Sequence, residues 1–331
     1  MKNLVAGIDI GTSVTSYALV DEFGKIYAYG CLNTEEHRNF NQFVTALKKE
    51  IDALSNSLEF PHVIDAIGIG APNGNYYTGE IENAANLIWK GKLPIAKQIS
   101  SLFGNIPTVL SNDANAAAIG EMIYGGAKKR KNFVVVTLGT GLGSGIVVDG
   151  NLVYGHDGAA GELGHVKITK DPNRSCGCGR CGCLETYVSF KGLTQTTLEL
   201  LKTKKGRHKL CKNEEDLSFD TILNAAMAGD LIAKEAFDIT GEYLGEALAN
   251  LVAVTAPDHI FISGAMSKAG EFILAPARKA LDSNLMNIWK GKVSLLTSVV
   301  EPEKAHILGA AALAIKEMQR RSQVVGIRKV I

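Results

Sequence analysis

One pattern occurs twice in this chain and limits what it can fold into. A β-branched apolar run over residues 4–10 ends in a polar turn at 11–13. It resumes at 14–20, turns again at Phe23-Gly24-Lys25 and returns at 26–32. At residue 133 the pattern starts over: Phe133–Leu138, a Gly-rich turn at 139–143, a run at 144–149, a turn at Asp149-Gly150-Asn151, and Leu152–Tyr154. Three strands joined by short turns predict an antiparallel meander in each half. Behind the first meander, Phe40, Phe43, Val44, Leu47, Ile51, Leu54 and Leu58 are spaced for one face of a helix. A buried strand at Val63–Ile69 follows, then a helix at 93–103, a strand at 107–111 and a helix at 113–124. Behind the second meander come a helix around 230–256, a strand at 259–263, a helix at 268–285, a strand at 293–299 and a helix at 305–320. The expectation is an α/β protein that uses one plan twice.

A length of 331 residues exceeds what one hydrophobic core usually serves, which also favours two domains. The expected division is a smaller N-terminal domain, 1–112 plus 305–331, and a larger one, 113–304. The larger one carries a Gly- and Cys-rich insertion at 156–187, and the charged stretch at 202–216 is expected to bridge helices on its surface.

Composition removes several classes of partner. The 35 basic and 34 acidic residues leave a formal charge of +1, so no basic face is expected for nucleic acid. The run Lys128-Lys129-Arg130-Lys131 reads as a solvated turn. Asp9 breaks the first apolar stretch before it reaches the length of a signal-peptide core. No uncharged apolar run is long enough to span a membrane. A cytoplasmic enzyme is expected. Four of the six cysteines, Cys176, Cys178, Cys181 and Cys183, fall within eight residues. In a reducing compartment such crowding argues for metal before disulfides. Cys31 and Cys211 stand apart and are expected to be packing residues.

The two Gly-containing turns point to phosphate. Asp9-Ile10-Gly11-Thr12, followed by Ser13, sits on the first, and Leu138-Gly139-Thr140-Gly141-Leu142-Gly143-Ser144-Gly145 on the second. Glycine lets backbone N–H groups approach phosphate oxygens, and Thr and Ser hydroxyls add donors. Read blandly, each is a tight hairpin. Found at equivalent places in a repeated plan, the two suit the triphosphate of ATP, with Asp9 as a hard oxygen ligand for Mg²⁺. Neither a P-loop nor a Rossmann fingerprint is present.

Ser111-Asn112-Asp113-Ala114-Asn115 leads from a strand into an Ala-rich helix. Asp113 is either a helix cap or the base that takes a proton from a sugar hydroxyl. Near a helix N-terminus its charged form is favoured, which makes it a weak base; phosphoryl transfer tolerates that because the transition state is largely dissociative. His165, Cys176, Cys178 and Cys183 offer one imidazole and three thiolates, a closed tetrahedral set for a structural Zn²⁺. Glu162 and Glu185 flank this set and read as acceptors for sugar hydroxyls in preference to a glycosidase pair. His156 matches no ligand spacing and reads as a surface loop residue.

At these residues the chain resembles the ROK family (repressor, open reading frame, kinase). The matching pieces are Asp9–Thr12, Ala71-Pro72, Asn86-Leu87-Ile88-Trp89, Asn112–Asn115 with Glu121, Leu138–Gly145, Gly161–His165, Cys176–Glu185 and Leu308-Gly309-Ala310-Ala311, in family order. The resemblance implies the two-domain actin/hexokinase-like (ribonuclease H-like) fold, with a duplicated mixed sheet and an active site in the interdomain cleft. It implies Asp113 as catalytic base. It implies Asn86, Asn112, Glu162, His165 and Glu185 as sugar contacts, with His165 shared between zinc and substrate. Ile262-Ser263-Gly264-Ala265 takes the place of the adenosine motif, with Gly264 as its contact, and Cys181 falls at a position the family leaves variable. The implied activity is ATP-dependent phosphorylation of a hexose, glucose first, with N-acetylmannosamine, N-acetylglucosamine and fructose behind it. A homodimer or homotetramer is the implied assembly. Three departures stand out, the first being that Ile262-Ser263-Gly264-Ala265 is poorer in Gly than the family's adenosine motif. Gly11-Thr12-Ser13-Val14 lacks the second Gly and the Lys usual in the first loop, and Asn73 follows Pro72 where Gly is frequent. The rival from another class is a sugar-binding sensor or repressor. Asp9 comes too early to leave room for a DNA-binding domain before it, and retention of Asp9 and Asp113 favours the enzyme.

Overall fold

The computed structural model describes residues 1–170, 172–204, 210 and 216–328. They form two compact units: Met1–Arg130 with Leu152–Ala160 and Val299–Ile331, and Lys131–Asn151 with Gly161–Ser298. The chain begins with β1 (Lys2–Ile10), β2 (Val14–Val20), β3 (Ile26–Asn33) and α1 (Phe40–Asn56). Next come β4 (His62–Gly70), the short β5 (Ile81–Glu82) and β6 (Lys92–Leu93), α2 (Ile95–Leu102), β7 (Thr108–Ser111) and α3 (Asp113–Ile123). The second stretch contains β8 (Phe133–Leu138), β9 (Leu142–Val148), β10 (Asn151–Leu152), α4 (Phe190–Thr203), α5 (Phe219–Met227) and α6 (Leu231–Thr255). It continues through β11 (His259–Ser263), α7 (Glu271–Asn284) and β12 (Ser294–Thr297), and α8 (Pro302–Arg328) closes the chain.

The repeated pattern has become a repeated topology. The first sheet runs β3-β2-β1-β4-β7 and the second β10-β9-β8-β11-β12. In each, the hairpin strands pair antiparallel and the next two strands add in parallel. Strand β1 is buried on both faces, with period two. Leu4, Ala6, Ile8 and Ile10 join Phe43, Val44, Leu47 and Ile51 of α1, whereas Val5 packs with Ile307, Leu308 and Ala311 of α8. Each fully buried Ile or Leu of this kind contributes about 1.5–3 kcal/mol.

The contact with α8 requires glycine. A Cβ at Gly7 would lie 2.6 Å from the Ile307 carbonyl oxygen, and one at Gly68 only 1.8 Å from that of Ala310. The same helix receives α3, where a Cβ at Gly120 would come within 3.0 Å of Gly309 Cα. This packing corrects the expected boundary. The Ala-rich α3 belongs to the first unit, so the chain leaves that unit after Arg130 and not after residue 112, and α8 joins it from Val299. The segment 156–187 is divided as well, since Leu152–Ala160 belongs to the first unit. Cys31 is exposed instead of packed. Cys211 and most of the charged stretch 202–216 lie outside the described residues.

Candidate active site

In the first unit, register brings the polar groups together. Asp9 pairs with Gly70 across β1 and β4, and Gly70 with Ser111 across β4 and β7. Three parallel strands therefore end at one level, and α3 starts just beyond. This carboxyl edge is where open α/β sheets hold their ligands. A Cβ placed on Gly70 would sit 3.4 Å from Asp9 Oδ1 and 3.9 Å from Asp113 Cα, so the two acidic residues border the same glycine. Burial pushes the Asp9 carboxyl up to about 6; His306 near the start of α8 pulls it down and Asp113 adds to the rise.

The structure separates the two roles open to Asp113. The cap of α3 is Asn112, whose Oδ1 accepts the Asn115 backbone N–H at 2.7 Å. Asp113 is the first helical residue, and its Oδ1 accepts the Ala114 N–H at 2.8 Å. Among the described residues its Oδ2 accepts no hydrogen bond. Asp113 is thus half-buried at the first turn of α3, with one carboxylate oxygen open.

The first turn is exposed at Thr12, Ser13 and Val14, and it closes through the Gly11 N–H to the Val14 carbonyl at 3.0 Å. The Ser13 hydroxyl donates to Glu35 Oε1 at 2.9 Å, which ties the turn to the segment after β3. Asn86 is exposed on the loop that joins β5 and β6. Lys90 shapes that loop by donating to the Ala84, Ala85 and Leu87 carbonyls, and Trp89 anchors it through Nε1 on the His37 carbonyl at 2.8 Å.

In the second unit the Gly-rich turn closes through the Gly139 N–H to the Gly141 carbonyl at 3.0 Å, with Thr140 exposed at its tip. Glu185 Oε2 accepts the Leu142 N–H at 2.9 Å. Gly264 follows β11 at φ +83, and a Cβ there would meet the Leu138 carbonyl oxygen at 2.4 Å, so the chain needs glycine to leave the sheet beside this turn. Past it lies a cavity of about 880 Å³. Among the described residues Phe190, Lys191, Gln195, Phe219, Ala265 and Lys268 help to line it. The Phe190 N–H donates to the Gly139 carbonyl at 2.8 Å, so the cavity adjoins the turn.

The Cys-rich segment folds into a compact knuckle. The Cys176 N–H reaches the Arg180 carbonyl and the Gly179 N–H the Cys176 carbonyl; the Ile168 and Leu184 N–H groups cross to the Gly182 and Val166 carbonyls. Arg174, buried beneath it, donates to the Thr186 carbonyl, Thr196 Oγ1 and Glu199 Oε2 and lies over the Tyr187 ring, which fastens the knuckle to α4. Ligand atoms of His165, Cys176, Cys178 and Cys183 all lie within 4.8 Å of one another. Cys176 Sγ is 3.5 Å from His165 Nδ1, and Cys178 Sγ is 3.6 Å from Cys183 Sγ. Tetrahedral zinc with thiolate bonds of about 2.3 Å needs donors about 3.6–3.8 Å apart, a spacing that these two pairs already have, and the chemistry of the set fits the metal. Arg180 pulls the Cys178 thiol down to about 6, while burial pushes Cys176 up to about 12. The other ring nitrogen of His165, Nε2, lies 3.9 Å from Glu162 Oε2. Cys181 stays outside the cluster, its backbone paired with Ser175.

The expected residues thus gather in two groups. Asp9, Gly11, Thr12, Ser13, Asn112 and Asp113 line one edge of the first sheet and the turn beside it, with Asn86 on a neighbouring loop of the same unit. Thr140, Gly141, Glu162, Gly264, Glu185 and the four metal donors belong to the second. His156 is exposed, as expected of a loop residue. Sequence reasoning missed His306, Arg174 and the bond from Glu185 to the turn. None of these had a local signal, because each partner lies far away in the chain.

Residues 5–317 match the model of the ROK family. The chain belongs to the ROK family. It is 32% identical to the glucokinase of Halalkalibacterium halodurans over 84% of either chain. It is 31% identical to the glucokinase of Streptomyces coelicolor, over 94% of this chain and 97% of that one. Among solved structures it is similar to a ROK family glucokinase from Streptomyces griseus in complex with glucose and AMPPNP. That match has 30% identity and a TM-score of 0.78 and covers 95% and 99% of the two chains. The ROK fold accounts for both five-stranded sheets and for their mixed pairing. No helix among the described residues is long and apolar enough to cross a membrane.

Proposed function

We propose that this protein transfers the γ-phosphoryl group of ATP to the 6-hydroxyl of glucose, giving glucose 6-phosphate and ADP. That the chain is a sugar kinase rests on its family and on glucokinase relatives matched along most of their length. The glucose and AMPPNP held by the Streptomyces griseus enzyme support the choice of acceptor and donor.

The observation that carries the residue roles is the start of α3. Asn112 caps the helix, which leaves Asp113 free of that duty and with one oxygen open. Asp113 orients the hydroxyl and takes its proton as the oxygen bonds to phosphorus; the proton then leaves to solvent. Asp9 offers a hard oxygen for the Mg²⁺ that accompanies ATP, and the cation would restore the charge that burial disfavours. In the first unit Gly11, Thr12 and Ser13 meet phosphate, and Asn86 and the Asn112 amide meet sugar. In the second, the Thr140-Gly141 turn meets phosphate, Gly264 and the adjoining cavity take the adenosine, and Glu162, His165 and Glu185 accept sugar hydroxyls. Zinc on His165, Cys176, Cys178 and Cys183 would supply a cross-link that holds these three side chains in place.

The test is Asp113→Asn. General-base removal lowers kcat by about 10²–10⁴-fold, with glucose binding, metal content and melting temperature unchanged. A variant with near-normal kcat would reduce Asp113 to a helix-terminal residue.

A further inference from the structure

Glu185 touches two parts of the second unit at once. Its Oε2 accepts the Leu142 backbone N–H at 2.9 Å, at the end of the Gly-rich turn, and its Oε1 lies 3.9 Å from Cys176 Sγ in the metal cluster. The turn is built to receive it. A Cβ on Gly141 would fall 2.6 Å from Oε2, so a side chain at 141 and this carboxylate cannot both keep their places. Gly141 does not have a positive φ, so the glycine supplies room and not an unusual backbone.

The knuckle sets where Glu185 points. The short helical turn Leu184–Thr186 begins at Cys183, the Leu184 N–H bonds to the Val166 carbonyl at 2.9 Å, and the Thr186 N–H bonds to that of Cys183 at 3.0 Å. Leu184 is fully buried. Whatever fixes Cys183 therefore fixes the carboxylate two residues later.

We propose that Glu185 is a positioning residue for the nucleotide turn and couples nucleotide binding to the sugar within this unit. The inference rests on reading 139–141 as a phosphate turn and Glu185 as a sugar contact. A hydroxyl that donates to Oε1 pins the carboxylate with Oε2 on the Leu142 N–H, so the turn is held in shape while sugar is bound. Linkage makes the effect reciprocal: glucose tightens MgADP, and MgADP tightens glucose by the same factor.

The experiment is calorimetric titration of the metal-loaded, full-length protein with MgADP, with and without glucose. It compares the wild type with Glu185→Ala, Glu185→Gln and Gly141→Ala, with metal content and melting temperature measured on each. Glu185→Ala leaves a buried amide unpaired and weakens MgADP by about 5- to 100-fold. Glu185→Gln retains an acceptor for Leu142 and keeps most of the MgADP affinity while losing glucose. Gly141→Ala displaces the carboxylate from its place. It should weaken glucose by about tenfold or more, the loss expected when a charge-assisted hydrogen bond goes, although residue 141 belongs to the phosphate turn. Glucose should no longer tighten MgADP in that variant. Unchanged MgADP affinity in Glu185→Ala, or unchanged glucose affinity in Gly141→Ala, would overturn the proposal. A wild type that turns over no hexose, yet loses MgADP on Glu185→Ala, would overturn the glucose reading and leave the positioning role standing.

Discussion

The two units share a strand order and differ in what they place at the end of it. In the first, β1 carries a carboxylate one residue before Ile10-Gly11-Thr12; in the second, β8 carries Thr137 before Leu138-Gly139-Thr140. Register confirms the equivalence, since Asp9 pairs with Gly70 on β4 and Thr137 with Ser263 on β11. The first unit therefore concentrates acidic groups: Asp9 and Asp113 border one glycine, and burial raises the Asp9 carboxyl. The second concentrates shape: a glycine-rich turn, a glycine at the end of β11, and a knuckle with a closed set of metal donors. One scaffold used twice carries buried carboxylates in one copy and glycine turns with a His/Cys cluster in the other.

The sharpest way to break that contrast is to take one proposed metal donor from the second unit. Cys183→Ser should take the protein from one bound zinc to nearly none and raise the glucose KM strongly, with the larger effect on KM than on kcat because the metal organises structure. Cys181→Ser should keep both zinc and activity, since Cys181 stands outside the cluster. Metal analysis of the two variants checks this; loss of zinc from Cys181→Ser would refute the donor set.

A smaller effect is expected from the charge of the first unit. The Asp9 carboxyl ionises near 3.9 in an unfolded chain and near 6 in the folded, ligand-free protein. Its folded value is raised, so the stability it contributes is full below about pH 4 and is lost as pH rises through about 6. Asp9→Asn removes that loss. Relative to wild type the variant should gain about 1–3 kcal/mol between pH 4.5 and pH 7.5 while losing turnover. Urea melts at the two pH values measure the difference, and a gap that does not change with pH would mean that burial does not act on Asp9.

The smallest effect is expected at the first turn. Val14 is half-exposed, and it closes the turn through its backbone carbonyl and not its apolar side chain, so Val14→Lys should change stability by no more than about 0.5 kcal/mol and leave the ATP KM near its starting value. A large gain in ATP affinity would show that phosphate contact here depends on a side-chain cation and not on backbone N–H groups.

Most of the fold was legible because its signals are local. The two meanders, the strands at Val63–Ile69, Phe133–Leu138 and His259–Ser263, and the long helix before β11 follow from hydrophobic period and turn residues. The nearness of Cys176, Cys178 and Cys183 to one another was legible through their crowding in the sequence. The boundary at residue 112 failed for a physical reason: α3 is buried almost all round, so its sequence shows no face, and only the match of Gly120 to Gly309 reveals which unit it serves. The two-residue strands β5 and β6 are too short to leave a period. Arg174 was unreadable because a buried guanidinium takes its meaning from partners in and beside α4. His306 was likewise unreadable, because α8 brings it toward Asp9 from almost 300 residues away.

The central claim is that the charged edge of the first unit performs phosphoryl transfer to a hexose. It is tested most directly by ADP release from MgATP over a panel of glucose, mannose, fructose, N-acetylglucosamine and N-acetylmannosamine, run side by side on wild type and Asp113→Asn. The account predicts turnover with glucose above the others, and its loss in the variant. Absence of ADP release with every sugar, from a protein that still binds one of them, would contradict it and identify the chain as a sugar-binding sensor.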